Sequence, residues 1–214
     1  MASLPALPRK LHGPSIWALY VVGLVPAVWY FYQGATGGLG VNPVKTFEHL
    51  LGIWALRFII ATLAITPLRD LFGINWLRYR RALGLLAFYY VAMHFLVWLV
   101  LDRGLDFGSI AGDIAKRPYI TIGMVCLISL VPLALTSNNW SIRRLGQRWN
   151  KLHRLIYPVA LGGALHYLLA VKSMTLQPFV HIALVALLLA YRPLRKPFLA
   201  WKRGGTSRVA RAAR

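Results

Sequence analysis

Apolar residues fall into six runs along the chain, at roughly 16–32, 49–65, 82–101, 119–135, 152–171 and 176–191. None alternates with period two, and each approaches the ~20 residues a helix needs to cross hydrocarbon. Only helices and closed barrels satisfy their backbone groups in lipid. The pattern therefore predicts an all-α membrane protein with a six-helix transmembrane bundle. The first run follows Arg9 and Lys10, as a signal peptide would. It is longer than the usual apolar core of such a peptide, and no small-residue cleavage site follows it, so it reads as a retained helix. The chain divides into an N-terminal segment (1–15), a transmembrane region (16–191) and a basic tail (192–214).

Composition agrees: 58% of residues are hydrophobic and 14% are charged. A soluble domain of 214 residues could not hide so much apolar surface. The net charge of +20 would suit a nucleic-acid partner if it lay along one polar face. Instead it sits in short clusters between the apolar runs, which excludes nucleic acid. Arg69, Arg78, Arg80 and Arg81 follow the second run. Arg143, Arg144, Arg148, Lys151 and Arg154 follow the fourth, and eight Lys or Arg follow Tyr191. The other connections hold Lys45, Arg103, Lys116, Arg117 and Lys172 beside Glu48, Asp102, Asp106 and Asp113. The positive-inside rule then puts both termini in the cytoplasm of a bacterial inner-membrane protein. The stretch GGTSRVARAAR at 204–214 reads as unordered, its charge lying on anionic headgroups. No GxGxxG and no P-loop is present, so no nicotinamide-binding module is expected. The lone Cys126 lies in an apolar run and reads as a small buried hydrophobe.

Histidine placement brings in chemistry. His94 lies in the third run and His166 in the fifth, both a few residues from their periplasmic ends. At ~1.5 Å per residue both imidazoles lie roughly 8–10 Å below the outer boundary. Two imidazoles facing each other at one depth suit a haem iron held from both sides. An iron so held has no open position and favours electron transfer. On a helical wheel Arg80, Gly84, Ala87, Val91, His94 and Trp98 share a side, where small Gly84 and Ala87 leave room for a macrocycle. Gly162 and Gly163, a turn from His166, suit either a macrocycle or close helix packing. His153 lies 13 residues before His166, about 20 Å nearer the cytoplasm, where a second haem would stack. An ideal helix turns it away from His166, although Pro158 can kink the helix between them. No histidine faces it on the third run. Arg80 stands at that level instead, either pairing with a haem propionate or serving as an ordinary interfacial cation. Arg57, mid-way along the second run, has no acid to meet and is expected at a propionate or at backbone carbonyls. His12 reads as solvated, and His49 and His181 as interfacial.

The stretches RRALGLLAFYYVAMHFLVWLVLD around His94 and TSNNWSIRRLGQRWNKLHRLIYPVALGGALHY through His153 and His166 resemble the YedZ/MsrQ family. That family is the haem-binding membrane subunit of a periplasmic protein-methionine-sulfoxide reductase system, and the likeness covers about 16–191. It implies a fold similar to the ferric-reductase transmembrane domain, haem b (one or two), and associated FMN. It also implies electrons taken from the quinone pool or a cytosolic flavin reductase. These pass to a periplasmic molybdopterin catalytic subunit, the heterodimer partner, which repairs oxidised methionine. By motif match, His94, His153 and His166 correspond to the family's haem ligands, and this chain is a non-catalytic electron-transfer subunit. Arg80 in place of a fourth histidine is a departure from the oxidase pattern.

Two further readings stand beside this one. A stand-alone ferric or oxygen reductase would need a flavin and nicotinamide domain, which the sequence to Arg214 lacks. A proton-coupled transporter would use the histidines as relays, but the runs lack acids and paired broken helices.

Overall fold

The computed structural model of the chain describes residues 8–171 and 175–212, without the side chains of residues 9 and 201–212. Residues 1–7 and Lys172 lie outside the described residues, as do the side chains of the basic tail from position 201 on. Helices run as α1 (His12–Ala35), α2 (Pro43–Phe72), α3 (Arg80–Leu96), α4 (Phe107–Lys116) and α5 (Pro118–Leu135). They continue as α6 (Asn139–Leu145), α7 (Gln147–Leu152), α8 (Ile156–Ala170) and α9 (Leu176–Ala212). No strand occurs among the described residues.

Helix ends follow local chemistry. Asn42 caps α2 by accepting from the Lys45 N–H, and Pro43 supplies a first residue whose missing N–H costs nothing. Gly73, with φ 74°, ends α2 in the left-handed conformation that a side chain would resist. Asp106 caps α4 by accepting from the Gly108 and Ser109 N–H groups, which hold its carboxyl below the ordinary range.

Among the described residues, five helices or helical stretches are long and apolar enough to cross a membrane: α1, α2, 77–102, α5 and the first part of α9. The expected fifth span is shorter than its apolar run. A 3-10 turn at His153–Leu155 precedes α8, which has 15 residues. Pro158 therefore falls in the first turn of α8, where its missing N–H is not needed and no kink results. The phase between His153 and His166 is reset by the 3-10 turn. α9 runs on past Tyr191 through Pro193 and Pro197 to Ala212. Residues 204–212 are helical, contrary to the expectation from their polarity; Ala and Arg are strong helix formers.

α2 is the hub. Ten of its residues, from Leu51 to Thr66, are buried. It packs on α3, α8 and α9, and α5 closes the ring against α3 and α8. α1 lies outside the α2–α3 pair and leaves Trp17, Val21, Val28 and Phe31 exposed, a surface suited to lipid.

A buried hydroxyl fastens the middle of α1. Tyr90 of α3 is fully buried; its Oη donates to the Gly23 carbonyl at 2.8 Å and accepts from the Ala27 N–H at 3.1 Å. Those two groups are the partners of one ordinary helical bond, so Tyr90 is inserted into the ladder of α1. A Cβ on Gly23 would lie 2.6 Å from a methyl of Leu86, which explains the glycine there. Tyr90→Phe is expected to cost about 1 kcal/mol, because the hydroxyl's bonds between α3 and α1 are lost while Gly23 and Ala27 can close their own helical bond. Lowered thermal unfolding of the purified protein checks it; an unchanged transition contradicts the fastening role.

Candidate functional site

A cavity of about 640 Å³ opens between α2, α3, α5 and α8. His94 and His166 both line it, from opposite sides. Their ring centroids are 6.1 Å apart and their planes meet at 85°.

Each imidazole is set by the same local arrangement on a neighbouring helix. His94 Nδ1 lies 2.8 Å from the carbonyl oxygen of Glu48 on α2. His166 Nδ1 lies 2.6 Å from the carbonyl oxygen of Tyr119 on α5. A carbonyl can only accept, so Nδ1 carries the proton in both rings and Nε2 keeps its lone pair. Among the described residues no protein group hydrogen-bonds either Nε2. Four residues beyond each acceptor stands a glycine, one helical turn along. A Cβ on Gly52 would lie 3.2 Å from His94 Nδ1, and one on Gly123 would lie 2.9 Å from His166 Nδ1. The missing side chains form two notches that let the rings reach the backbone.

This donor set fits a haem. An iron bonded to both Nε2 atoms at ~2 Å holds the two ring centres roughly 6 Å apart, the spacing seen. Perpendicular ring planes are compatible with two ligands on one axis. Apolar walls come from Leu56, Ile59, Val91, Leu130 and Val159, and cations from Lys45, Arg103 and Arg117. A π-helical segment, Val97–Asp102, follows α3 and closes with the Arg103 N–H donating to the Trp98 carbonyl at 2.9 Å. The extra residue in that turn brings Trp98, Asp102 and Arg103 to the cavity together. Arg103 pairs with Asp113 at 2.7 Å and Asp102 at 3.4 Å, and Arg117 with Asp113 at 3.1 Å. These contacts tie the π segment, α4 and the start of α5 across one end of the cavity.

Other residues singled out in the sequence lie elsewhere. Arg57 is exposed, with Cζ 4.9 Å above the Trp54 ring, and does not line the cavity. A cation over an aromatic face offsets part of the cost of its depth. Arg80 lies about 20 Å from His94 along α3. It donates to Thr66 Oγ1 on α2 rather than facing His153. His153 Nε2 is 3.0 Å from Thr136 Oγ1, and its ring stacks on Trp149 at 3.8 Å. His153 borders neither the cavity nor Arg80. Ala87 is fully buried in helix packing, and neither it nor Gly84 lines the cavity. Gly162 serves packing, since a Cβ there would lie 2.6 Å from Cys126 Sγ; Gly163 borders the cavity. His181 is buried, its Nδ1 2.8 Å from the Gln177 carbonyl oxygen.

Gly52, Gly123, Lys45, Arg103, Arg117 and His49 line the cavity without having been singled out for it. The glycines left a trace in the sequence. Each interrupts an apolar run on a helix that does not carry the histidine it seats.

Fold and site together define a multi-pass helical membrane protein with a paired-histidine cavity, the architecture of ferric-reductase-like transmembrane proteins. The profile described as "Ferric reductase like transmembrane component" matches residues 51–164, which include His94 and stop just short of His166. A relative from Rhizobium meliloti (strain 1021) is 66% identical over 214 residues, spanning 100% of this chain and 99% of its own. One from Agrobacterium fabrum is 62% identical over 209 residues, spanning 98% and 97%. One from Brucella anthropi is 61% identical over 180 residues, spanning 84% and 82%. Each of the three is named a protein-methionine-sulfoxide reductase heme-binding subunit MsrQ. The chain belongs to the YedZ/MsrQ family.

Proposed function

We propose that this chain is the haem b-binding, electron-transfer subunit of a protein-methionine-sulfoxide reductase, and that His94 and His166 would hold the haem iron. The observation that carries the reading is the pair of imidazoles 6.1 Å apart, each with Nδ1 anchored on a backbone carbonyl. When bound, a bis-histidine haem supplies one-electron redox chemistry with no position open to oxygen or substrate.

The chain's own residues do the rest. Glu48 and Tyr119 carbonyls fix the tautomer and direction of each ligand, a constraint that also raises ligand basicity. Leu56, Ile59, Val91, Leu130 and Val159 give the cavity apolar walls against which the macrocycle would pack. Lys45, Arg103 and Arg117 offer cations to the carboxylate edge of the group, the role that sequence alone suggested for Arg57 and Arg80. His153 is the proposed ligand of a second haem. That role requires the Thr136 bond and the Trp149 stack to open.

The acceptor is a periplasmic molybdopterin subunit, and the donor the quinone pool or a cytosolic flavin reductase. FMN association is proposed on family grounds. The loop charges support an inner-membrane location with both termini in the cytoplasm and the His94/His166 cavity toward the periplasm. The test is haem-to-protein stoichiometry on the purified chain, with reduction followed separately using a quinol and a reduced flavin. Absence of haem absorbance overturns the reading; reduction by one donor alone identifies the source.

Arg57→Leu is expected to leave haem content and potential unchanged, since Arg57 does not line the cavity and lies over Trp54. A shifted spectrum or potential would show that the guanidinium acts on the haem after all.

A further inference from the structure

At the end of the bundle away from the His94/His166 cavity, arginines gather around one hydroxyl. Thr66 of α2 is buried, and its Oγ1 receives both Arg80 of α3 and Arg192 of α9, the latter at 3.2 Å. Arg192 also donates to the Leu63 carbonyl at 3.1 Å and lies 5.2 Å from the Tyr157 ring centre. Its Nε is buried and has no acceptor. Arg69 and Arg195 stand beside them, but both are engaged with Asp70. That carboxylate accepts from Arg69 at 3.1 and 3.2 Å, from Arg195 at 2.5 and 3.3 Å, and from the Tyr191 hydroxyl at 3.1 Å. Among the described residues no carboxylate pairs with Arg80 or Arg192.

Two guanidinium groups converging on one neutral oxygen repel each other, and their partial burial weakens the water that would screen them. Proteins hold such a pair together when an anion shares it. Guanidinium forks match carboxylate and phosphate oxygens bidentately, and phosphate is the anion that a bilayer surface and soluble esters both supply. The depth also fits. Arg192 directly follows the unbroken apolar stretch Ile182–Tyr191 of α9 and opens a basic stretch with Arg195 and Lys196, as at the level where a bilayer places its phosphate groups. We propose that Arg80 and Arg192, brought together over Thr66, form a binding site for a phosphate group, from a phospholipid headgroup or from a soluble phosphate ester. The site is separate from the haem reading, and haem absorbance and phosphate binding can be scored independently.

The test uses the full chain purified in detergent, with R80Q/R192Q as the paired variant. Native mass spectrometry reads co-purified phospholipid. Thermal unfolding of delipidated protein in inorganic phosphate, against chloride at equal ionic strength, reads soluble phosphate. Retained phospholipid that falls roughly ten-fold or more in the variant supports the headgroup source. A phosphate-specific rise in the melting temperature, absent in the variant, supports the soluble source. Neither effect, or effects equal in both proteins, overturns the proposal. If R80Q/R192Q does not fold, R192K decides. It keeps the charge but loses the fork, so several-fold weaker phosphate or lipid binding is expected, and unchanged binding overturns the site.

Discussion

Alanine at His94 or at His166 is expected to remove the bis-histidine haem signature completely, with at least a roughly 100-fold loss of haem affinity. Loss of one ring removes a proposed iron ligand and also a tie between helices, because each Nδ1 docks on the backbone of a neighbour: α3 on α2 through Glu48, α8 on α5 through Tyr119. The freed carbonyls still accept from their own helical N–H groups. The cost in fold stability is therefore about 1 kcal/mol per variant, well below the effect on haem. Each variant should be expressed and inserted, and its absorption and electron paramagnetic resonance spectra compared with the parent. A low-spin bis-histidine signal that survives either substitution would remove that histidine from the site.

The second large effect is expected from a residue that touches no cofactor. Gly123→Val places carbon in the notch under His166, where even a single Cβ would lie 2.9 Å from Nδ1 and from Cε1. The ring must leave the Tyr119 carbonyl or the two helices must part. Either outcome misdirects Nε2, and roughly 10- to 100-fold weaker haem retention follows, as for loss of an orienting partner. Gly52→Ala is the graded control. Its Cβ would stand 3.2 Å from His94 Nδ1, a contact relieved by a shift of a few tenths of an ångström, so a milder loss is expected. Haem content per chain, measured after purification at equal expression, orders the two variants. Equal retention in Gly123→Val and the parent would show that the notch is not needed.

The bundle was legible because lipid leaves few options. Runs of apolar residues without alternation, closed by Asn42-Pro43 at one end of α2 and Gly73 at the other, can only be helices. The meeting of His94 and His166 was legible for a related reason, since two polar rings at one depth inside apolar runs gain by facing each other. Their partners were not. The acceptors are backbone carbonyls, which every residue has, and the notches are glycines on other helices, whose pairing depends on how α2 meets α3 and α5 meets α8. The placement of Arg57 was not legible, because depth along a helix says nothing of which way a side chain points; it lies over Trp54 and does not line the cavity. Arg103 was hidden for the opposite reason. It reads as a loop cation, and only the wider turn at Val97–Asp102 carries it to the cavity. Arg80 and Thr66 meet across two helices, a contact that no spacing within either one encodes.

The two glycine notches have a consequence for how the site comes into being. One half, α2 with α3, holds the ring of His94 already oriented; the other, α5 with α8, holds that of His166. The earlier half leaves the ribosome well before the later one is complete. Neither ring has to be ordered when the halves close, so little side-chain freedom is lost at that moment. What remains is the approach of two preset surfaces, and a gap left between them would have the breadth of the final site before anything entered it.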